Sequence, residues 1–384
     1  MIYLDHAATT PLDPAVADVV AGWLDGRPAN PSAGHAAGRA ARAAVETARE
    51  QVAAALAVDP LDVVFTSGGT EADNLAVIGL ARAARAAGTG HELVVSAIEH
   101  HAVLEAARWL AEHEGFTLKL IAPTADGVID PDRVLDAVGA HTALVAVMAA
   151  NNELGTVQPV ATLGAALAQQ QVAFHVDAVQ AFGRIPVEPA RWQASALALS
   201  AHKFAGPTGV GVLVLRRDVP CAAPSFGGSQ ERGVRAGTLH TAGIAGAGAA
   251  AELAAARLAE DPPQVAARRD RLAAGLLALD GVRWHGAGAQ LLPGHLHLGI
   301  DGVDGDALLA ALDAAGIAAS AASACQSGAA QASHVLAACG LDAPDRAHLR
   351  LTLGRSTTDA DVDEALKVLT HTVAALRARG GGFV

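Results

Sequence analysis

Two short stretches carry residue types that could act together on a carbonyl. Ser200-Ala201-His202-Lys203 follows an apolar run and precedes Phe204-Ala205-Gly206-Pro207, which puts the lysine at the end of a predicted strand and not on a solvated helix face. Taking an ammonium out of water favours its neutral form, moving its pKa from ~10.4 toward the range where a free amine attacks an aldehyde. Upstream, His175 and Asp177 are two apart on a β-pattern and share a face, with Gln180 following at the strand end. A carboxylate there keeps a pyridine nitrogen protonated, and a pyridine aldehyde bonded to a lysine is the working arrangement of pyridoxal 5'-phosphate, an electron sink. Taken alone, Asp177 would serve equally well as a helix cap.

Such a cofactor also needs a phosphate cradle. Phe65-Thr66-Ser67-Gly68-Gly69-Thr70-Glu71 reads as strand, glycine turn and helix start, which aims unpaired N–H groups and a positive dipole end at one point. By itself this is also what an ordinary β-to-α turn looks like. Ser200 and His202, beside Lys203, would add donors to the same phosphate.

A sulfur nucleophile is available as well. Cys325 sits among Ser320, Ser323, Ser327, Gly328 and several alanines, a low-bulk stretch that reads as a mobile loop. Cys339 lies on the apolar pattern Val335-Leu336-Ala337-Ala338 and Cys221 follows a proline in a connection, so both read as small hydrophobes. Three widely spaced thiols fit a reducing compartment and neither a disulfide framework nor a zinc ribbon, and no metal site is expected.

The elements that must position these groups follow from periodicity. Between about Val63 and Leu215, β-rich runs at Val63–Phe65, Leu93–Val95, Leu118–Ile121, Ala143–Met148, Ala173–Val176, Leu197–Leu199 and Gly211–Leu215 alternate with helical patterns. That is the signature of crossover units building a mostly parallel sheet. Helices are expected at Glu71–Ala86, His101–His113, Asp132–Val138 and Val160–Gln169, and a tightly packed one in the Ala/Gly-rich Ala242–Ala256. Asp261-Pro262-Pro263 reads as a break, followed by a basic helix from Val265 to Leu279. Beyond it, strands near His295–Ile300 and His348–Leu353 and helices near Asp306–Ala315 and Asp359–Ala375 make a smaller α+β unit. The expected division is a large domain over 15–259 and a small one formed by 1–14 with 260–384.

Bulk properties narrow the function. A net charge of -12 and an aromatic content of 3% argue against phosphate-backbone binding and against base stacking. The most apolar stretches, such as Ala143–Ala150, fall far short of the ~20 residues a bilayer requires. The opening Met1-Ile2-Tyr3-Leu4-Asp5-His6 has no basic segment leading into an apolar run, so a cytoplasmic location is expected.

With these residues in place, the chain resembles the class V aminotransferase-like branch of fold type I pyridoxal phosphate enzymes, and within it the cysteine desulfurases of the NifS/IscS type. The likeness covers Tyr3 to Thr10, Asn30-Pro31-Ser32, Thr66 to Asn74, Glu99-His100, Asn151 to Gly155, His175 to Gln180, Ser200 to Pro207, Gln230 to Thr238, Ser323-Ala324-Cys325 and Arg350 to Arg355. It implies that Lys203 bonds the cofactor aldehyde, that Asp177 partners the ring nitrogen, and that His100 stacks on the ring and moves protons. Gln180 would bond the phenolic oxygen, while Gly69, Thr70, Ser200 and His202 would hold the phosphate. Thr238 would reach that phosphate from a neighbouring subunit, which implies a homodimer with shared sites. Asn152 and Arg350 would hold the carboxylate of L-cysteine, the planar fork of arginine suiting that task.

Cys325 would take the substrate sulfur as a persulfide, release L-alanine and deliver sulfur to an acceptor protein, either an iron–sulfur scaffold or a tRNA or DNA thiolation enzyme. Gln326 and Gln331-Ala332-Ser333 depart from the family pattern, while the spacing from Cys325 to His334-Val335-Leu336 matches its long-loop group. A selenocysteine lyase or class V aminotransferase is the rival enzyme, and a non-catalytic binding protein on the same scaffold the rival from another class.

Overall fold

The computed structural model describes residues 1–28, 30–321, 333–343 and 346–380, with residues 379 and 380 described by backbone alone. The chain opens with β1 (Ile2–Tyr3), α1 (Pro14–Ala21) and α2 (Ala36–Leu56). Then come β2 (Val63–Thr66), α3 (Gly69–Ala86), β3 (Glu92–Ser96), α4 (His101–Glu114), β4 (Thr117–Ile121), α5 (Pro131–Ala137), β5 (Thr142–Ala146), α6 (Val160–Gln169), β6 (Ala173–Asp177), β7 (Ala196–Ser200) and β8 (Gly211–Leu215). The remainder is α7 (Thr241–Ala256), α8 (Asp261–Leu277), β9 (Val282–Trp284), β10 (His295–Asp301), α9 (Gly305–Ala314), β11 (Ile317–Ala318), α10 (His334–Ala338), β12 (Arg346–Thr352) and α11 (Asp359–Gly380).

Seven strands form one sheet in the order β2-β8-β7-β6-β5-β3-β4. All neighbours are parallel except β8, which runs antiparallel to both β2 and β7. The expected mostly parallel seven-stranded sheet is therefore present. Alternation sorts its apolar residues between two layers. Val63, Phe65, Val94, Val145, Leu197 and Val212 meet α2, α6 and α7 on one face, while Val64, Leu93, Val95, Leu144, Ala198 and Leu213 meet α3 and α4 on the other. A third core gathers Leu4 with α8, α9, α11 and the sheet β12-β10-β9.

Two features differ from the expectation. The prolines after Asp261 do not interrupt the chain but occupy the first turn of α8, where a missing N–H costs nothing because those donors lack intrahelical partners. Helix α2 is also present. Its buried stripe of Gly38, Ala41, Val45, Ala48, Val52 and Leu56 has helical spacing, but it is built so largely of small residues that the apolar contrast is weak. Among the described residues no helix is long and apolar enough to cross a membrane.

Gly211 ties the antiparallel strand to the turn before α3. It pairs with both Thr66 and Ser200, and a Cβ there would meet the Gly68 carbonyl carbon at 2.3 Å. Gly211→Ala is expected to destabilise the fold by about 1–3 kcal/mol by pushing that turn outward. An unchanged urea midpoint would refute the tight fit.

Candidate active site

The carboxyl ends of the parallel strands meet at one edge, where open α/β sheets hold ligands. Asp177 ends β6, Ser200 ends β7, and the turn after β2 leads into α3. Lys203 lies in a short 3-10 turn, Ala201–Lys203, and its Nζ donates to the carbonyl oxygens of Ala7 at 2.6 Å and Ala8 at 2.7 Å. The lysine charge acts on Asp177, His100 and His202 together. His100 caps α4, its Nδ1 accepting from the Ala102 N–H at 3.1 Å. Burial, then the Lys203 charge, pushes it down to about 4, so it is a neutral imidazole near pH 7. His202 is likewise pushed to about 4 by burial, Lys203 and Arg184, and its Nδ1 lies 3.1 Å from Thr9 Oγ1.

Asp177 is buried, which raises its pKa, while the Val179 N–H at 2.9 Å, His175 and Lys203 favour its ionised form. Behind it, His175 Nε2 lies 3.0 Å from Asp73 Oδ1. Burial and the Asp177 charge push Asp73 well above the carboxylate range. Burial raises both carboxyls, Asp73 the more strongly, because only Asp177 has the N–H donor and the lysine charge to favour its ionised form.

Helix α3 begins beneath this group. Gly68 offers no side chain to cap it, so its first-turn N–H groups are left for a ligand. The turn is braced by Glu71, which accepts from the Ser67 N–H and pairs with Arg235 Nε at 2.9 Å. Gly69 lies against Ser200 and Val179: a Cβ there would come within 3.3 Å of Ser200 Cβ and 3.0 Å of Val179 Cγ2. Thr70 is exposed on the first turn. A phosphate-bearing pyridine aldehyde fits these residues, with uncapped N–H groups, Ser200 and Thr70 at one end and Asp177 and Lys203 at the other.

Arg350, on β12, is 2% exposed and comes to the same edge from the small sheet. Its Nη2 donates to Asp5 Oδ1 at 2.8 Å and its Nη1 to the Asn152 carbonyl at 3.0 Å, while its Nε is buried with no partner among the described residues. Asn151 shapes that loop, its Oδ1 accepting from the Glu153 and Leu154 N–H groups. Asn152 and Arg350 are thus brought together. Gln180 donates from Nε2 to Ala7 at 3.0 Å and accepts at Oε1 from Arg184. Thr238 is exposed. Cys325 and the neighbouring loop residues lie outside the described residues, as does the long-loop spacing. A cavity of about 450 Å³ is lined by Lys203 and Arg184 but by none of Thr70, His100, Asp177 or Ser200, so it is not the phosphate cradle.

Two residues of the site were not singled out by residue type. Arg184 donates to the Gln180, His6 and Lys203 carbonyls, binding the lysine turn to the N-terminal segment. Glu99, before His100, is fully buried. Its Oε1 accepts from the Met148 N–H at 2.7 Å, and burial lifts it to about 8. The folded protein therefore keeps a proton that the unfolded chain releases near pH 4.5, and stability falls as pH rises across the window from about 4.5 to 8. Glu99→Gln is expected to flatten that slope and to gain stability over the parent at pH 8. Parallel stability–pH curves for the two proteins would refute this.

The class-V aminotransferase family model matches residues 2–365. The IscS-like cysteine desulfurase of Mycobacterium tuberculosis is 45% identical over 383 residues, covering 98% of this chain and 97% of that one. The chain belongs to the cysteine desulfurases of the class-V aminotransferase family. Among solved structures, a NifS-like protein superposes with a TM-score of 0.91 at 33% identity, covering 98% of this chain and all of its own. SspA, solved in complex with cysteine, superposes with a TM-score of 0.80 at 30% identity over 93% of this chain and all of that one. The residues gathered at the sheet edge come from both ends of the chain, with Asp5 meeting Arg350.

Proposed function

We propose that this cysteine desulfurase holds pyridoxal 5'-phosphate on Lys203 and transfers the sulfur of L-cysteine to Cys325. The observation that carries the reading is a single amine whose charge acts at once on a buried carboxylate, Asp177, and on two neutral imidazoles, His100 and His202. When bound, the cofactor supplies an electron sink for the charge left at the substrate Cα.

The chain's own residues do the rest. Ser200, Thr70, His202 and the N–H groups at Gly69 would hold the phosphate of the cofactor, Asp177 would partner its ring nitrogen, and Gln180 would bond its phenolic oxygen. Asn152 and the Arg350 fork orient the substrate carboxylate. The freed Lys203 amine takes the Cα proton, and neutral His100 is placed to accept or return a second one. The Cys325 thiolate then attacks the substrate sulfur. The new S–S bond forms as the C–S bond breaks, leaving L-alanine and a persulfide. Ser320 exchanges both backbone hydrogen bonds with Arg350, and the five-residue reach from it to Cys325 spans at most about 17 Å. SspA, a structural relative, binds cysteine, which supports the same substrate here.

The same reading makes the protein a cytoplasmic homodimer in which the exposed Thr238 serves the partner's phosphate. It treats 15–259 as the cofactor domain and 1–14 with 260–384 as the domain that carries Cys325. Its acceptor is another protein, an iron–sulfur scaffold or a tRNA or DNA thiolation enzyme. The test is to incubate the purified protein with pyridoxal 5'-phosphate and L-cysteine. Stoichiometric L-alanine and one added sulfur on the Cys325 peptide are expected. Pyruvate and ammonia in place of L-alanine, or no mass gain on that peptide, would overturn the reading.

A further inference from the structure

The sheet that carries Arg350 has two unlike faces. Leu296, Leu298 and Ile300 of β10 and Ala347, Leu349 and Leu351 of β12 enter the core against α8, α9 and α11. Strand alternation therefore turns His297 and Gly299 of β10, and His348 and Arg350 of β12, to the opposite face. Gly299 pairs with His348 and His297 with Arg350, so the two histidines are diagonal neighbours. His285 follows β9, its N–H donating to the His297 carbonyl at 2.9 Å, and its ring lies over Gly299, where a Cβ would approach Nε2 to 2.7 Å.

Three imidazoles converge there. Ring centroids are 5.3 Å apart for His285 and His297, 5.4 Å for His285 and His348, and 5.7 Å for His297 and His348. One ring nitrogen from each lies within 4.8 Å of the other two. Among the described residues, the Nδ1 of His285 and both nitrogens of His297 and His348 are buried without a hydrogen-bond partner. A buried polar group left unsatisfied is costly, so a cluster of them calls for a ligand. The nearby carboxylate is committed: Asp301 pairs with Arg346 at 2.8 Å and Arg283 at 3.0 Å. None of the three histidines takes part in the sulfur chemistry above.

We propose that His285, His297 and His348 form a binding site for a divalent transition-metal ion of the zinc class. The donor set is three nitrogens with no oxygen, which suits zinc and its first-row neighbours and not magnesium or calcium. Tetrahedral zinc holds its nitrogens at about 2.0–2.1 Å, so each ring nitrogen need move inward by only about 0.8 Å to close the site. Three protein ligands leave a fourth position for water or an added ligand. His348 is half-buried while His285 and His297 are buried, so the ion enters on the β12 side. Bound there, it would cross-link β9, β10 and β12.

The test uses the full-length, cofactor-loaded protein dialysed against Zn²⁺ and then against a weak chelator, with Co²⁺ as a spectroscopic probe. The parent is expected to retain one zinc per chain and to melt at higher temperature with it. Bound Co²⁺ should show the visible bands of nitrogen ligation without a thiolate charge-transfer band. His348→Gln should weaken zinc binding by at least about tenfold, losing a ligand costing no less than losing an outer partner, while metal-free desulfurase activity stays at the parental level. His285→Gln serves as the second variant should His348→Gln fail to fold. A parent that retains no zinc, a variant that retains it as tightly, or a cobalt spectrum of thiolate ligation would each overturn the proposal.

Discussion

Lys203→Ala is expected to lose L-cysteine turnover by at least about 10⁴-fold, because in the proposed mechanism it removes both the cofactor's covalent anchor and the base at Cα, and a positioned base alone contributes about 10²–10⁴-fold. The variant should also lose stability. The Nζ bonds to the Ala7 and Ala8 carbonyls tie the N-terminal segment to the lysine turn, and bonds from a charged donor contribute about 1.5–3 kcal/mol each at most. Lys203→Arg separates the two roles. An arginine keeps donors aimed at those carbonyls but never presents a free amine at neutral pH. Its melting temperature should stay near that of the cofactor-free parent while activity stays absent. Measured activity in either variant above about one-hundredth of the parental rate would contradict the assignment.

Cys325→Ala is expected to lower alanine release from L-cysteine by at least about 10³-fold while leaving substrate binding, read as a spectral shift of the bound cofactor, intact. The other two thiols supply the control. Burial pushes Cys221 up to about 11 and Cys339 up to about 12, so near pH 7 only about 10⁻⁴ and 10⁻⁵ of each is thiolate. Neither can stand in as the nucleophile, and Cys221→Ala or Cys339→Ala should run at close to the parental rate. Alanine release from Cys325→Ala at the parental rate would sink the persulfide step.

Much of this was legible before any coordinates. Strands β2, β5, β7 and β8 of the large sheet are short apolar runs bounded by turn residues and buried along their whole length, which is the easiest pattern to read. Lys203 stood out as a lysine at a predicted strand end and not on a solvated helix face, whereas Asp177 and Gly69 gained meaning only from standing in one chain with it. Helix α2 was not legible, because an alanine stripe differs too little from its polar flanks. Arg184 and Glu99 escaped for another reason. An arginine after a turn and a glutamate before a histidine are ordinary until burial removes their water. The three histidines of the small sheet lie on separate elements in sequence, and only the β9-β10-β12 register brings them together.

Residue chemistry and periodicity determined which elements form, which side chains could act on a carbonyl, and that the fold is a parallel sheet with its site at the strand ends. Those are local properties, carried by spacing of two or of three to four residues. Tertiary structure alone decided that Asp5 meets Arg350 from the far end of the chain, that burial raises Asp73 more strongly than Asp177, that His100 and His202 are neutral, and that His285, His297 and His348 face one another. Long-range pairing and desolvation belong to the packed chain, and no window of sequence contains them.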